Sequence, residues 1–215
     1  MPAPEKFGAS FDLANTKYPE KDSETRSRMK KLIKVPRMST SAIGGIINRG
    51  VSEMKSDEMF VNVGVWFGFT LLSGIVGNGD KLCVGIDNFS EFGGPKKQFL
   101  ENFSKFSSPN HQFYDMNYSE YLEEKHSAPI GFYIYDGPHD YDNQLKGLRL
   151  AERFFSDKCV VLVDDTNWEE PREATLDFIA SSKVKYEILL DVQTVQNCHP
   201  TYWNGLILFR VHGFD

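Results

Sequence analysis

From residue 59 onward, short apolar runs alternate with helix-like segments, and each run stops at an acid or a glycine. Met59 to Val63 ends at Gly64, Lys81 to Ile86 at Asp87, His111 to Tyr114 at Asp115, Gly131 to Tyr135 at Asp136-Gly137, and Cys159 to Val163 at Asp164-Asp165. The fifth run is apolar without alternation, which suits a strand buried on both faces of a parallel sheet. Between the runs, Leu71 to Val76 reads as a helix stopped by the turn Gly77-Asn78-Gly79-Asp80. Pro95 opens a helix at its first position, with Phe99, Phe103 and Phe106 on one face. A brief helix is predicted over Tyr118 to Lys125, and a longer one carries Tyr141, Leu145, Leu148, Ala151 and Phe155 at helical spacings. Thr166-Asn167-Trp168-Glu169 has the form of a capping box, predicting a helix from there to about Ser182. Two last runs, Tyr186 to Val192 and Gly205 to Val211, are expected to pair as an antiparallel hairpin at the sheet edge. This alternation is the grammar of an α/β fold: a doubly wound, Rossmann-like, seven-stranded and mostly parallel sheet.

Residues 1–57 differ from the rest. They are polar, and Lys17 to Lys34 mixes both signs, with Arg26, Arg28, Lys30, Lys31 and Lys34. The expectation is a solvated, partly helical extension, able to act as a basic lid, ahead of a ligand-binding domain over 58–215. The Gly44-Gly45 pair is expected to break any helix there. The chain has 215 residues, 40% apolar and 25% charged, which is ordinary globular composition and excludes a disordered chain or a coiled-coil rod. The formal net charge of -6 leaves no global electrostatic footprint for nucleic acid. Cys83, Cys159 and Cys198 are far apart, so neither a disulfide framework nor a structural zinc site is expected. No stretch approaches the ~20 apolar residues of a membrane span, and no apolar leader stands near Met1, so the expected location is the cytoplasm.

In doubly wound sheets the ligand binds outside the carboxyl ends of the strands. Acids stand at all of those ends but the first: Asp87, Asp115, Asp136, Asp164 and Asp165. The first strand-to-helix turn, Asn62-Val63-Gly64-Val65-Trp66-Phe67-Gly68-Phe69-Thr70, is a G-x-x-x-G pattern. It lacks the middle glycine that makes room for a pyrophosphate, which argues against a nicotinamide dinucleotide. A nucleoside ligand without pyrophosphate fits better. Asp87, 23 positions after Gly64, can accept from both hydroxyls of a ribose.

Phe60 to Thr70, Val84 to Asp87, Ile134 to His139 and Val161 to Asp165 together resemble a class I S-adenosylmethionine-dependent methyltransferase. The likeness is to the small metal-dependent O-methyltransferase branch with a D-G-x-H-x-Y motif, here Asp136-Gly137-Pro138-His139-Asp140-Tyr141. It extends over residues 59 to 211. The resemblance implies S-adenosylmethionine as cofactor, held by Asn62, Gly64, Gly68, Thr70, Asp87, Asp115 and Asp136. The two glycines would line its amino-acid end, Asp87 its ribose, and Asp115 its adenine. Asn62 stands where the family carries an acid, so the charge that would meet the cofactor's ammonium is missing.

Asp136, Asp164 and Asp165 end neighbouring strands and should converge. Three uncompensated carboxylates raise one another's pKa, and a divalent cation removes that cost, magnesium first for an all-oxygen ligand set. The resemblance points the same way. The expected chemistry is methylation of a hydroxyl on a small polyol, sugar or phenol, with Asp136, Asp164 and Asp165 as metal ligands and Asp136 and His139 as catalytic residues, His139 as general base. The competing reading is a non-catalytic nucleoside-binding relative. Trp66, Trp168 and Trp203 are either cleft walls or core, and Phe89, Phe92, Phe99 and Phe103 are read as core plus adenine wall. No membrane or nucleic-acid partner is expected, and a homodimer is the default assembly.

Overall fold

The computed structural model describes residues 23–214, so the first 22 residues of the expected extension lie outside the described residues. The elements follow in chain order as α1 (Ser23–Lys31), α2 (Ser41–Glu53), β1 (Met59–Val63), α3 (Phe69–Ile75), β2 (Leu82–Asp87), α4 (Lys96–Phe106), β3 (His111–Asp115), α5 (Tyr118–Glu124), β4 (Ile130–Tyr135), α6 (Tyr141–Glu152), β5 (Phe155–Asp164), α7 (Glu169–Ser181), β6 (Val184–Val192) and β7 (Leu206–Phe214). The strands form one sheet in the order β3-β2-β1-β4-β5-β7-β6. Neighbours from β3 to β5 pair in parallel. β7 runs antiparallel to both β5 and β6. The doubly wound sheet with its antiparallel edge pair is therefore the one the sequence predicts. Chain direction across the sheet reverses between β1 and β4, which opens a crevice at their carboxyl ends.

Packing explains the elements that pattern alone misplaces. α2 runs straight through Gly44-Gly45, against the expected break. A Cβ on Gly44 would sit 2.8 Å from Ser73 Oγ and 2.9 Å from Met29 Sδ, so glycine here lets α2 approach α1 and α3 closely. Thr40 caps the helix by accepting from Ile43 N at 3.3 Å. α1 and α2 bury Met29, Leu32, Ile43, Ile47 and Val51 in the same cluster as Phe60, Leu71 and Phe132 of the sheet layer. Phe155 leaves the predicted helix and opens β5, because α6 ends at Glu152. Pro95 is the residue before α4 rather than its first; Phe99 is fully buried, with Phe103 and Phe106 partly so.

The capping box does not form. α7 starts at Glu169 behind Trp168, which makes no side-chain cap, and Thr166 is buried. Tertiary anchors hold this segment as a turn, closed by Trp168 N donating to Asp165 O at 3.0 Å. Asn167 N donates to Asn204 O at 2.7 Å, Asn167 Nδ2 donates to Thr194 Oγ1 at 2.8 Å, and Asn167 Oδ1 accepts from Thr194 N at 2.9 Å. Among the described residues no helix is long and apolar enough to cross a membrane.

Candidate active site at the carboxyl ends of the strands

A cavity of about 310 Å³ opens at the crevice between β1 and β4. Its floor is the turn after β1. Gly64 has φ of 75°, and a Cβ there would lie 1.8 Å from the carbonyl oxygen of Asp136, so no other residue fits. Gly68, at φ 102°, is the N-cap of α3, and Thr70 in the first turn of that helix lines the cavity. Asp87 holds the turn in shape. Its Oδ2 accepts from Val65 N at 2.8 Å and Trp66 N at 2.9 Å, and its Oδ1 from Phe89 N at 2.7 Å. It still lines the cavity, and Oδ1, which accepts a single bond, keeps a second lone pair for a ligand.

Of the other expected cofactor residues, Gly64 and Asp136 line the cavity, whereas Asn62, Gly68 and Asp115 do not. Asn62 is fully buried behind the turn and its Nδ2 donates to Gly64 O at 2.8 Å and Val63 O at 3.2 Å. Its Oδ1 has no partner. Asp115 is turned outward into an ion pair with Lys96, and the next two residues, Met116 and Asn117, reach the cavity instead. Trp66, Trp168 and Trp203 all line it. Phe89 and Phe92 are on the same wall, while Phe99 packs beneath with its ring 5.7 Å from that of Phe89.

The acid cluster converges as expected, with one change of membership. Ligand atoms of Asp136, His139 and Asp164 lie within 4.8 Å of one another, a grouping that includes the histidine and leaves out Asp165. His139 Nε2 sits 3.2 Å from Asp165 Oδ2 and 3.6 Å from Asp136 Oδ1. Asp165 takes the left-handed conformation at φ 56°, and its Oδ1 accepts from Asn204 Nδ2 at 2.7 Å. Asn204 in turn accepts at Oδ1 from Cys198 N at 2.7 Å. The polar loop from Thr194 to Asn204 is a candidate wall of the acceptor pocket from sequence, but nothing in its local pattern singles out Asn204, because that role arises from the β6–β7 loop folding back onto the end of β5.

Burial governs the charges here. It pushes Asp164 well above the ordinary carboxylate range, and the charges of Asp136 and Asp165 push it further. Asp136 is also raised by burial, against the opposing hydrogen bond of His139. Burial lifts Asp165 to about 6, with the imidazole working the other way. For His139, burial favours the neutral ring, but the hydrogen bond and charge of Asp136, together with the charge of Asp165, win and raise its pKa. Asp164 Oδ1 and His139 Nδ1 are buried with no hydrogen-bond partner. The remainder of the D-G-x-H-x-Y motif is structural: Asp140 caps α6 through Asn143 N at 3.0 Å, and Tyr141 OH donates to Asp177 on α7 at 2.7 Å.

Residues 61–166 match a family model described as a methyltransferase domain. No curated protein matches the chain in sequence. Solved structures do match in shape. Cofactor-bound Rv0187 from MTB is 14% identical, with 99% of each chain covered and a TM-score of 0.65. The O-methyltransferase TomG from Streptomyces achromogenes, involved in tomaymycin synthesis and solved with SAM, is 12% identical over 99% of this chain and 100% of that one, with a TM-score of 0.60. CalS11, a TDP-rhamnose 3'-O-methyltransferase of calicheamicin biosynthesis, is 16% identical over 94% and 90%, with a TM-score of 0.55. At such identities the likeness is one of fold. Together with the match over residues 61–166, and with a glycine turn, Asp87 and a cavity in register at the switch point, it identifies residues 61–166 as a methyltransferase domain of the class I S-adenosylmethionine-dependent kind.

Proposed function

We propose that the enzyme transfers the methyl group to a hydroxyl of a small polyol, sugar or phenol, with assistance from a divalent cation, magnesium first. The observation that carries this reading is the convergence of Asp136, His139 and Asp164 at the ends of β4 and β5. A hard cation fits the residues present: Asp136 and Asp164 offer oxygen ligands, and Asp164 Oδ1 is buried without a partner. When bound, such an ion supplies Lewis acidity that lowers the pKa of an acceptor hydroxyl. The remaining chemistry belongs to the chain. Gly64, Thr70 and Asp87 bind and orient the cofactor, so that the acceptor oxygen and the sulfonium methyl meet in line. His139, oriented by Asp165, takes the hydroxyl proton at its imidazole. Trp168 and Trp203 offer flat apolar faces to a ring-shaped acceptor and exclude water. The fold shared with TomG and CalS11 supports the O-methyl assignment.

A metal-independent reading is favoured by one contact. With His139 protonated between Asp136 and Asp165, the imidazolium already supplies the positive charge that a cation would bring. Methyl transfer from S-adenosylmethionine to a panel of catechols, sugars and polyols, run with magnesium and with EDTA, separates the two. Asp164→Ala is expected to abolish the magnesium-stimulated rate. Full activity of that variant, or of wild type in EDTA, overturns the metal-assisted mechanism.

A further inference from the structure

We propose that Glu91 selects the acceptor by charge, and that the acceptor is a cation: a small hydroxylated molecule that also carries an ammonium group. This rests on the reading of the cavity as a site of methyl transfer to small hydroxylated acceptors, and it names the charge such an acceptor bears. Among the described residues, four carboxylates line the cavity, those of Asp87, Glu91, Asp136 and Asp165. Three of them have partners in the fold. Asp87 accepts from the backbone of the glycine turn. Asp136 and Asp165 flank His139 Nε2, and Asp165 also accepts from Asn204. The Glu91 carboxylate has neither a hydrogen bond nor an ion pair among the described residues. Arg37, also in the lining, is taken up elsewhere: its Nη1 donates to Ile33 O at 3.3 Å and Val35 O at 3.5 Å, and its guanidinium lies 5.0 Å from the centroid of the Phe69 ring. Glu91 is thus the acid whose counter-ion has to arrive with a ligand.

The loop after β2 presents this carboxylate without depending on it. Ser90 donates from N and Oγ to Asn88 Oδ1 at 3.1 and 2.8 Å. Glu91 O accepts from Gly94 N at 3.1 Å, and Phe92 O accepts from Trp66 Nε1 at 3.2 Å. Phe89 and Phe92 hold φ of 51° and 50°, a conformation that persists in bulky residues only where the surroundings enforce it. The side chain of Glu91 takes part in none of these bonds. Phe92 is 58% exposed and lines the cavity together with Trp66, so the acid stands in a rim that also offers aromatic rings. Acid and aromatic faces together hold ammonium groups, by charge and by cation–π attraction. The field of Glu91 also reaches the reacting end, because its charge is among those that raise the pKa of His139. One small molecule can therefore span the two, its ammonium at Glu91 and its hydroxyl at the imidazole. An anionic acceptor would meet the carboxylates of Glu91, Asp136 and Asp165 with nothing to offset the repulsion.

Methyl-transfer kinetics of the full chain, with S-adenosylmethionine and magnesium, test this on two matched triads. One is glucosamine, glucose and glucuronate; the other is dopamine, ethylcatechol and dihydroxyphenylacetate. Within a triad that is methylated, the cationic member is expected to have a KM about three- to tenfold below the neutral one, between the worth of an exposed ion pair and that of a charge-assisted hydrogen bond. The preference should shrink as salt is added, since Glu91 is exposed. Glu91→Gln should bring the KM ratio of cationic to neutral member to about one, Glu91→Asp should keep part of the preference, and Glu91→Lys should turn it toward the carboxylate member. Equal KM across the triad in the wild type overturns the proposal without any variant. So does a Glu91→Gln protein that keeps the preference, or one that loses S-adenosylmethionine binding in calorimetry, which would assign the carboxylate to the cofactor. In each of these cases wild-type turnover leaves the methyltransferase reading standing. Transfer to no member of either triad removes both.

Discussion

Six non-glycine residues have positive φ among those described, and five of them, Trp66, Phe89, Phe92, Asp165 and Trp203, line the cavity. Left-handed backbone at bulky residues costs stability and persists only where the surroundings enforce it, so the strain is concentrated where the ligand binds. Asp165 combines this conformation with a titratable group. Its folded-state pKa of about 6 stands above the unfolded reference of 3.8. The folded state thus holds the proton over a window in which the unfolded state has released it, and stability falls as pH rises from about 4 to about 6. The raised pKa of His139 extends the decline to higher pH as its proton is lost. Thermal melts of the metal-free protein should therefore show a falling Tm across that window. Asp165→Asn keeps a residue tolerant of positive φ and should flatten the slope by up to ~3 kcal/mol. An unchanged pH profile in that variant would place the destabilising charge elsewhere.

At the scale of elements, glycine acts as a spacer. Gly50 lies within α2, where alanine would ordinarily gain about 1 kcal/mol in helix propensity. A Cβ there would come within 2.2 Å of the Phe132 ring. Phe132 is buried in β4 and also packs edge-on against Phe60, ring centroids 5.8 Å apart, so it has little room to move. Gly50→Ala is expected to destabilise by about 1–3 kcal/mol through overpacking, lowering Tm with no direct change to cofactor contacts. A rise in Tm would show that Phe132 can yield. The β6–β7 loop has the opposite task, adding contacts instead of clearing space. Through Asn204 and the Thr194–Asn167 bonds it ties the edge hairpin to the end of β5, and so holds both Asp165 and Trp168 at the cavity.

At the scale of the molecule, the helices before β1 belong to the core. Met29, Leu32, Ile43, Ile47 and Val51 are buried against Phe60 and Phe132, and Arg37 and Ser39 reach the cavity. Cutting the chain at residue 57 would expose that face of the sheet. Each fully buried aliphatic side chain of this kind contributes about 1.5–3 kcal/mol, so the five lost together are comparable to the roughly 5–15 kcal/mol by which domains are usually stable. A fragment of residues 58–215 should accordingly lack a cooperative thermal transition and bind no cofactor. A folded, cofactor-binding fragment would show that the sheet domain stands alone.

The succession of strands and helices and the location of the site were legible in the sequence because both depend on local pattern. Apolar runs closed by acids mark buried parallel strands, and the acids then fall at the carboxyl ends without further information. The glycine turn, Asp87, Asp136 and Asp164 were found in this way, and they gather at one crevice. What local pattern cannot carry is which face a polar residue turns to, and what approaches it from a distant part of the chain. Asp115 sits at a strand end like the others, yet pairs outward with Lys96. Thr166 to Glu169 has a capping signature, yet Asn167 is bound to Thr194 and Asn204, contacts that exist only once β7 has inserted between β5 and β6. Gly44-Gly45 signals a break until Met29 and Ser73 occupy the space that side chains would fill. Residues 37–39 look like part of a solvated lead-in, and only the packing of α1 and α2 on the sheet delivers Arg37 to the cavity. Local propensities of about a few tenths to one kcal/mol yield to tertiary contacts of greater worth, so the sequence by itself determined the succession of strands and helices and the place of the site, and the tertiary structure decided its membership.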